Sequence, residues 1–241
     1  MSAHGAYGDL DLHVLTNGAF AQHTYVVEHR PTRTALVIDP GRDTAPLVLD
    51  RIAGGLRVER VLLTHGHFDH VGGVQVLCEA LGLQADAHEG DRRLIRQAQL
   101  YSARWEKTLV PVPKRVDYFA GAPRWAWSGG EIATLEGPGH TDGSVVYLVG
   151  PLAFTGDTIF HRKVGPAFYP GGNRDVLLVT VERLLAALPP ETTLFAGHGR
   201  PWTVAAARAW WAESGGAPET FDIYQEQGES RSAGDQLERD A

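Results

Sequence analysis

Thr64-His65-Gly66-His67-Phe68-Asp69-His70-Val71-Gly72-Gly73 carries three imidazoles and a carboxylate between positions 65 and 70. The mostly apolar run Val58–Leu63 before it has the length of a buried strand, and Val71–Leu81 after it has helical spacing of Val, Leu and Ala. The motif therefore occupies a strand-to-helix turn. Side chains alternate faces in extended chain, so His65, His67 and Asp69 are expected to project together while His70 turns away as the helix begins. Gly66 and the Gly72-Gly73 pair are expected to supply backbone freedom and close packing at the helix start. Imidazole and carboxylate gathered in this way are donors for a metal ion.

Four donors in one loop cannot close two metal shells, and three further sites supply more. Gly139-His140-Thr141 precedes the apolar run Val145–Val149; Gly156-Asp157 ends the run Leu152–Phe154; Gly197-His198-Gly199 ends Thr193–Ala196. A single buried histidine is usually structural, but seven ligand-type residues beside strands favour a metal site. His4, His13, His23, His29, His88 and His161 stand singly and read as surface or hydrogen-bonded residues, with His161 set apart by its nearness to Asp157. Cys78 lies among Val76, Leu77 and Leu81 on the expected helix and reads as a buried, inert thiol.

The order His65-x-His67-x-Asp69-His70, then His140, Asp157 and His198, resembles the metallo-β-lactamase superfamily. Tyr25-Val26-Val27 with Val37-Ile38-Asp39-Pro40-Gly41 is similar to that superfamily's opening hairpin and loop. Thr155-Gly156-Asp157-Thr158-Ile159-Phe160, Tyr169-Pro170-Gly171-Gly172 and Gly197-His198-Gly199 resemble most the hydroxyacylglutathione hydrolase (glyoxalase II) branch. The resemblance implies an α/β fold, a four-layer αββα sandwich of two packed mixed sheets with outer helices. It implies two divalent metal ions, the first on His65, His67 and His140, the second on Asp69, His70 and His198, with Asp157 bridging both. Zinc is the default ion, and iron or manganese suits the same donors. The implied reaction is hydrolysis of a thioester or related ester-type bond of a small molecule by a hydroxide between the metals, which Asp69 both orients and helps to hold.

Two features depart from glyoxalase II. Val164-Gly165-Pro166-Ala167-Phe168 stands where relatives commonly carry Gly-Arg, and the stretch after His198 has no room for the helical domain that grips glutathione in full-length members. Arg162, Lys163 and Tyr169 follow Asp157 and are candidates to meet an anionic substrate, a solvated loop being the plainer reading. Residues 105–127, with Tyr118, Phe119 and Trp125 among prolines, read either as an aromatic wall or lid over the metals or as core packing. The rival activities within the same resemblance are a persulfide dioxygenase with one iron on His65, His140 and Asp157, and a lactonase or phosphodiesterase. A β-lactamase fits less well, since many carry Cys where Asp157 stands. A binding protein that keeps its metals without turnover is the alternative of another class.

With 241 residues and 43% hydrophobic content, the chain is expected to fold as one catalytic domain over residues 1–214. Residues 215–241 are expected to form a polar, flexible tail, part of which Phe221, Ile223 and Tyr224 can dock. A formal charge of −7 disfavours nucleic acid as a partner. One cysteine allows no internal disulfide, the first residues lack a signal-peptide pattern, and no apolar run has the length of a membrane span. The expected protein is cytoplasmic and acts on a small-molecule substrate, with a homodimer as one option for its assembly.

Overall fold

The computed structural model describes residues 4–221. Strands β1 (His4–Tyr7), β2 (Leu10–Asn17), β3 (Gln22–His29), β4 (Thr34–Ile38), β5 (Arg57–Leu62), β6 (Ala85–His88) and β7 (Val116–Phe119) form a seven-stranded sheet in that order. It is antiparallel from β1 to β4 and parallel from β4 to β7. Parallel neighbours need crossovers, which contain α1 (Ala45–Ala53), α2 (Phe68–Val71), α3 (Val74–Leu81), α4 (Arg92–Arg96) and α5 (Ala98–Trp105).

The second sheet opens with β8 (Arg124–Trp127), β9 (Gly130–Glu136), β10 (Val145–Val149) and β11 (Leu152–Gly156), all antiparallel. A short hairpin, β12 (Ile159–Phe160) and β13 (Lys163–Val164), leads into α6 (Arg174–Ala187). The chain then returns as β14 (Thr193–Ala196), parallel to β11, before β15 (Trp202–Thr203) and α7 (Val204–Glu213).

Alternation along the central strands decides the layering. Val26, Ala35, Val37 and Val61 pack with Val48 of α1 and Leu77 of α3. Their neighbours Tyr25, Val27, Leu36, Ile38 and Leu62 pack with Tyr147, Phe154 and Phe195 of the second sheet. Val146, Ala153 and Leu194 lie on the far side with Leu177 and Val181 of α6 and Ala207 of α7. Three apolar layers between four tiers of secondary structure make the αββα sandwich that the sequence resemblance implies. Polar bonds fasten the two sheets near the end of β5: the Tyr147 hydroxyl donates to Leu63 O (2.9 Å) and Val145 N–H to Thr64 O (2.9 Å).

One local expectation changes, and two left open, on residues 105–127 and on the docking of Phe221, are resolved. The helix expected over Val71–Leu81 is split at Gly72-Gly73, whose φ values of −62° and −95° are right-handed and available to any residue. Space is what demands glycine there: a β-carbon on Gly73 would overlap Gly41 O and lie 2.8 Å from Pro40 O, to which Gly73 N–H donates. Residues 105–127 do not act as a unit. Phe119, Trp125 and Trp127 pack on the inter-sheet core from the short edge strands β7 and β8, too short to show a period, and Trp105 ends α5. The chain beyond Ser214 packs on the body as far as it is described. Val164 N–H donates to Glu219 O (3.0 Å), Phe221 N–H donates to Val164 O (2.7 Å), and the Phe221 ring stacks on Phe160 at 4.4 Å. Residues 222–241, with Ile223 and Tyr224, lie outside the described residues. Among the described residues no helix is long and apolar enough to cross a membrane.

Cys78 is fully buried on α3, and burial pushes its thiol up to about 11. A protonated, covered thiol is a poor nucleophile. A chromogenic disulfide reagent should therefore label one thiol per chain only after denaturation; stoichiometric labelling of the native protein within minutes would contradict this packing.

Candidate metal centre

Each sheet presents the C-terminal ends of a parallel strand pair at the same edge, β4 with β5 and β11 with β14. Crevices outside such ends are where α/β sheets bind ligands. Asp39 follows β4, the turn from His65 to His70 follows β5, Asp157 follows β11, and His198 follows β14. His140 comes from the loop between β9 and β10. That loop is seated on the start of α6 through Gly139, whose φ of +128° suits glycine and whose bare Cα leaves room for Leu177; Asn173 N–H donates to Gly139 O (2.8 Å).

The seven residues converge in two overlapping groups. In the first, His67 Nδ1 lies 3.1 Å from His65 Nε2 and 2.9 Å from His140 Nε2, with Asp157 Oδ2 3.6 Å from His140 Nε2. In the second, Asp69 Oδ2 lies 3.4 Å from His198 Nε2 and 3.7 Å from His70 Nε2. Asp157 reaches this group too, 3.4 Å from His70 Nε2 and 3.6 Å from His198 Nε2. Asp69 thus joins His70 and His198, not His65 and His67 as alternation would have it. His67 is the last extended residue (φ −69°, ψ 148°) and α2 begins at Phe68, so the two-residue period ends there.

The rings are aimed from outside. His70 Nδ1 lies 2.9 Å from Asp39 Oδ2, His140 Nδ1 2.6 Å from Pro166 O, and His198 Nδ1 2.8 Å from Phe20 O. Thr64 donates its hydroxyl to Asp39 Oδ2 (2.6 Å), which leaves its oxygen lone pairs for His65 Nδ1 at 3.1 Å. Such contacts fix the ring and turn its other nitrogen to the centre. Burial, with neighbouring imidazoles adding to it, holds His65 and His140 below the usual range and pushes His67 down to about 3. Burial would also raise Asp69 and Asp157, but the histidines outweigh it and hold both carboxyls down, Asp157 strongly. The same carboxylates, with Asp39, hold His70 up against its burial; Asp157 and Asp69 do so for His198.

Those features fit a metal ion. His65, His67 and His140, held neutral, bring ring nitrogens together, those of His65 and His140 within 3.1 Å of His67 Nδ1, an arrangement of lone pairs that a cation relieves. Among the described residues, His70 Nε2 and Asp157 Oδ1 are buried without a hydrogen-bond partner, and both face this cluster. Gly197 leaves the space they need, because a β-carbon there would overlap Asp157 Oδ1 and crowd His70 Cε1. A cavity opens above the donors, walled by Phe20, Phe68, Trp105, Phe168, Tyr169 and Phe221 among others.

Residues 17–198 match the family model of the metallo-beta-lactamase superfamily. The chain belongs to that superfamily. It is 33% identical over 214 residues to an uncharacterized protein of Mycobacterium tuberculosis (strain ATCC 25618 / H37Rv), covering 79% of this chain and 92% of the relative. It is 28% identical over 206 residues to the hydroxyacylglutathione hydrolase GloC of Haemophilus influenzae, covering 81% and 93%. It is also similar to a protein crystallised in a di-iron-bound form, with a TM-score of 0.71 and 32% identity, covering 81% of this chain and 96% of that one. The metallo-beta-lactamase fold thus presents here a His/Asp cluster capable of binding metals, in a superfamily of metallo-hydrolases.

Of the residues expected to meet substrate, Tyr169 lines the cavity and stands edge-on to His67 with ring centroids 5.6 Å apart. Arg162 and Lys163 are not in the lining; Arg162 pairs with Glu213 (3.2 Å) and Lys163 Nζ lies 5.9 Å from the Phe221 ring centroid. Two buried carboxylates were not singled out from the sequence. Asp39 also accepts from Thr64 N–H (2.7 Å); its signal is a carboxylate ending the apolar run Ala35–Ile38 just before Pro40-Gly41. Asp91 accepts from Gly66 N–H (2.7 Å), Thr141 Oγ1 (2.8 Å) and Gly143 N–H (2.8 Å), tying the His65–His67 loop to the His140 loop. Its context, Glu89-Gly90-Asp91, reads as an ordinary polar turn.

Asp39→Ala leaves Thr64 N–H and His70 Nδ1 without their acceptor. A loss of about 2–4 kcal/mol in stability and of about 10–100-fold in metal affinity is expected, read by denaturant unfolding and by competition with a chromophoric chelator. Wild-type values for both would contradict the aiming role of Asp39.

Proposed function

We propose that this chain is a metal-dependent hydrolase that cleaves a thioester or related ester-type bond of a small molecule, in the manner of glyoxalase II. The observation that carries the reading is the pair of donor groups on the floor of an apolar cavity, with Asp157 of the first also within 3.6 Å of His70 and His198 of the second. Two divalent ions bound there supply Lewis acidity for a carbonyl oxygen and an activated water at neutral pH. His65, His67 and His140 would hold the first ion, Asp69, His70 and His198 the second, with Asp157 within reach of both groups. Zinc is the default, with iron or manganese suited to the same donors. Asp69, kept ionised beside His198 and His70, also accepts a hydrogen bond from the attacking water and so fixes its direction. Asp39, Asp91 and the carbonyls of Phe20 and Pro166 orient the donors.

The catalytic unit is taken as residues 1–214 with Phe221 added to its wall, and the cytoplasm as its compartment, in keeping with one buried cysteine. Neither nucleic acid nor membrane is its partner; a homodimer is one option for its assembly. A persulfide dioxygenase would need only His65, His140 and Asp157, and the complete second group supports the hydrolase instead.

His65→Ala and Asp69→Ala test the reading. Each should lower thioester turnover by about a thousandfold or more, with far-UV circular dichroism unchanged. Retained turnover with no metal bound would overturn it. Oxygen uptake with sulfite formation, in place of thiol release, would favour the dioxygenase.

A further inference from the structure

Resting on that hydrolase reading, we infer that the site selects a thioester flanked by uncharged, apolar groups, an aromatic acyl group best of all, and discriminates against glutathione conjugates. Among the described residues no Lys or Arg lines the cavity, and its charged side chains are the candidate metal donors themselves. Glutathione brings two carboxylates and an ammonium. Enclosing charges without partners costs several kcal/mol, and nothing in the wall offsets it. Of the cations near the wall, Arg162 pairs with Glu213, Arg200 with His161 (2.8 Å) and Arg42 with Asp43 (2.8 Å), while Lys163 lies 5.9 Å from the Phe221 ring centroid and Arg104 5.4 Å from that of Trp105, neither of them in the lining.

Aromatic faces line the cavity beside both donor groups. Next to the first group, Tyr169 stands edge-on to His67, and Phe168 and Trp105 pack around Tyr169 at centroid distances of 4.5 and 6.1 Å. Next to the second, Phe221 lies nearly parallel to His198, 5.9 Å away and 24° between planes, braced from below by Phe160. Phe168 is 68% exposed at the mouth, an arrangement that rewards an apolar ligand able to cover it. Phe221 reaches its place through the backbone bonds of residues 219–221 to Val164, so chain beyond α7 helps to shape the specificity.

The reaction is balanced by water alone. A water oxygen bonds to the acyl carbon, the C–S bond breaks with its electron pair leaving on sulfur, and a carboxylate, a thiol and one proton result.

Four thioesters separate the terms: S-acetyl and S-phenylacetyl groups, each carried on uncharged N-acetylcysteamine and on glutathione, assayed by thiol release from the metal-loaded full chain. We expect kcat/KM at least about tenfold higher for phenylacetyl than for acetyl and for N-acetylcysteamine than for glutathione. Phe221→Ala should erase most of the acyl preference, chiefly through KM, with metal content unchanged, and Phe221→Leu should restore part of it. Binding of the matching 2-phenylethyl thioethers, measured by calorimetry, gives the order without turnover. Equal or better use of the glutathione compounds, or equal rates for the two acyl groups, would overturn the preference. If no thioester is cleaved but the thioethers keep the expected order, the hydrolase reading fails and the apolar preference stands; a reversed order overturns the preference whatever the turnover.

Discussion

The Asp157 carboxylate, 8% exposed and within 3.6 Å of imidazole nitrogens of His70, His140 and His198, is the interaction on which the site depends. A buried carboxylate is costly unless positive charge surrounds it. Here His70 and His198, the two imidazoles held up, follow strands of different sheets, β5 and β14, so the compensation exists only once both sheets are in place. Inter-sheet packing of Tyr25, Tyr147, Phe154 and Phe195 brings the strand ends together. Hydrogen bonds accepted by Asp39 and Asp91 then hold the turns that carry His65 to His70 and His140. Stability and site geometry are therefore one problem in this chain: weakening the layer between the sheets separates the donors.

The division of labour between the two halves follows from strand direction. Parallel pairing of β4 with β5 and of β11 with β14 sends all four of those strand ends to one edge. Antiparallel strands would have alternated them between opposite edges. His140 is the exception, since its loop precedes β10 instead of following a parallel strand, and it needs a support of its own. Gly139 resting on α6 and Asp91 bonding Thr141 and Gly143 provide that support.

The seven candidate donors were legible in the sequence because each adjoins an apolar run, whereas the layered fold was legible only through the family resemblance that their order carries. Alternation alone would have put Asp69 with His65 and His67, since it cannot show where extended chain gives way to a helix one residue after His67; the grouping with His70 and His198 came from the family resemblance. Asp39 and Asp91 were legible only as polar residues near turns, because their importance lies in hydrogen bonds spanning 25 to 52 positions. Phe221 was legible as an apolar side chain able to dock the tail, but not its place in the cavity wall, which rests on main-chain bonds to Val164 that composition does not encode. Residues 105–127 looked like one aromatic element because proximity in sequence hid their division among the end of a helix and the edges of two different sheets.

Anomalous diffraction from crystals of the protein grown with zinc or iron tests the central claim most directly. The account predicts two peaks, one among His65, His67 and His140, one among Asp69, His70 and His198, with Asp157 within bonding reach of both. Density bound only at surface carboxylates, with these seven side chains free of any peak, would contradict it.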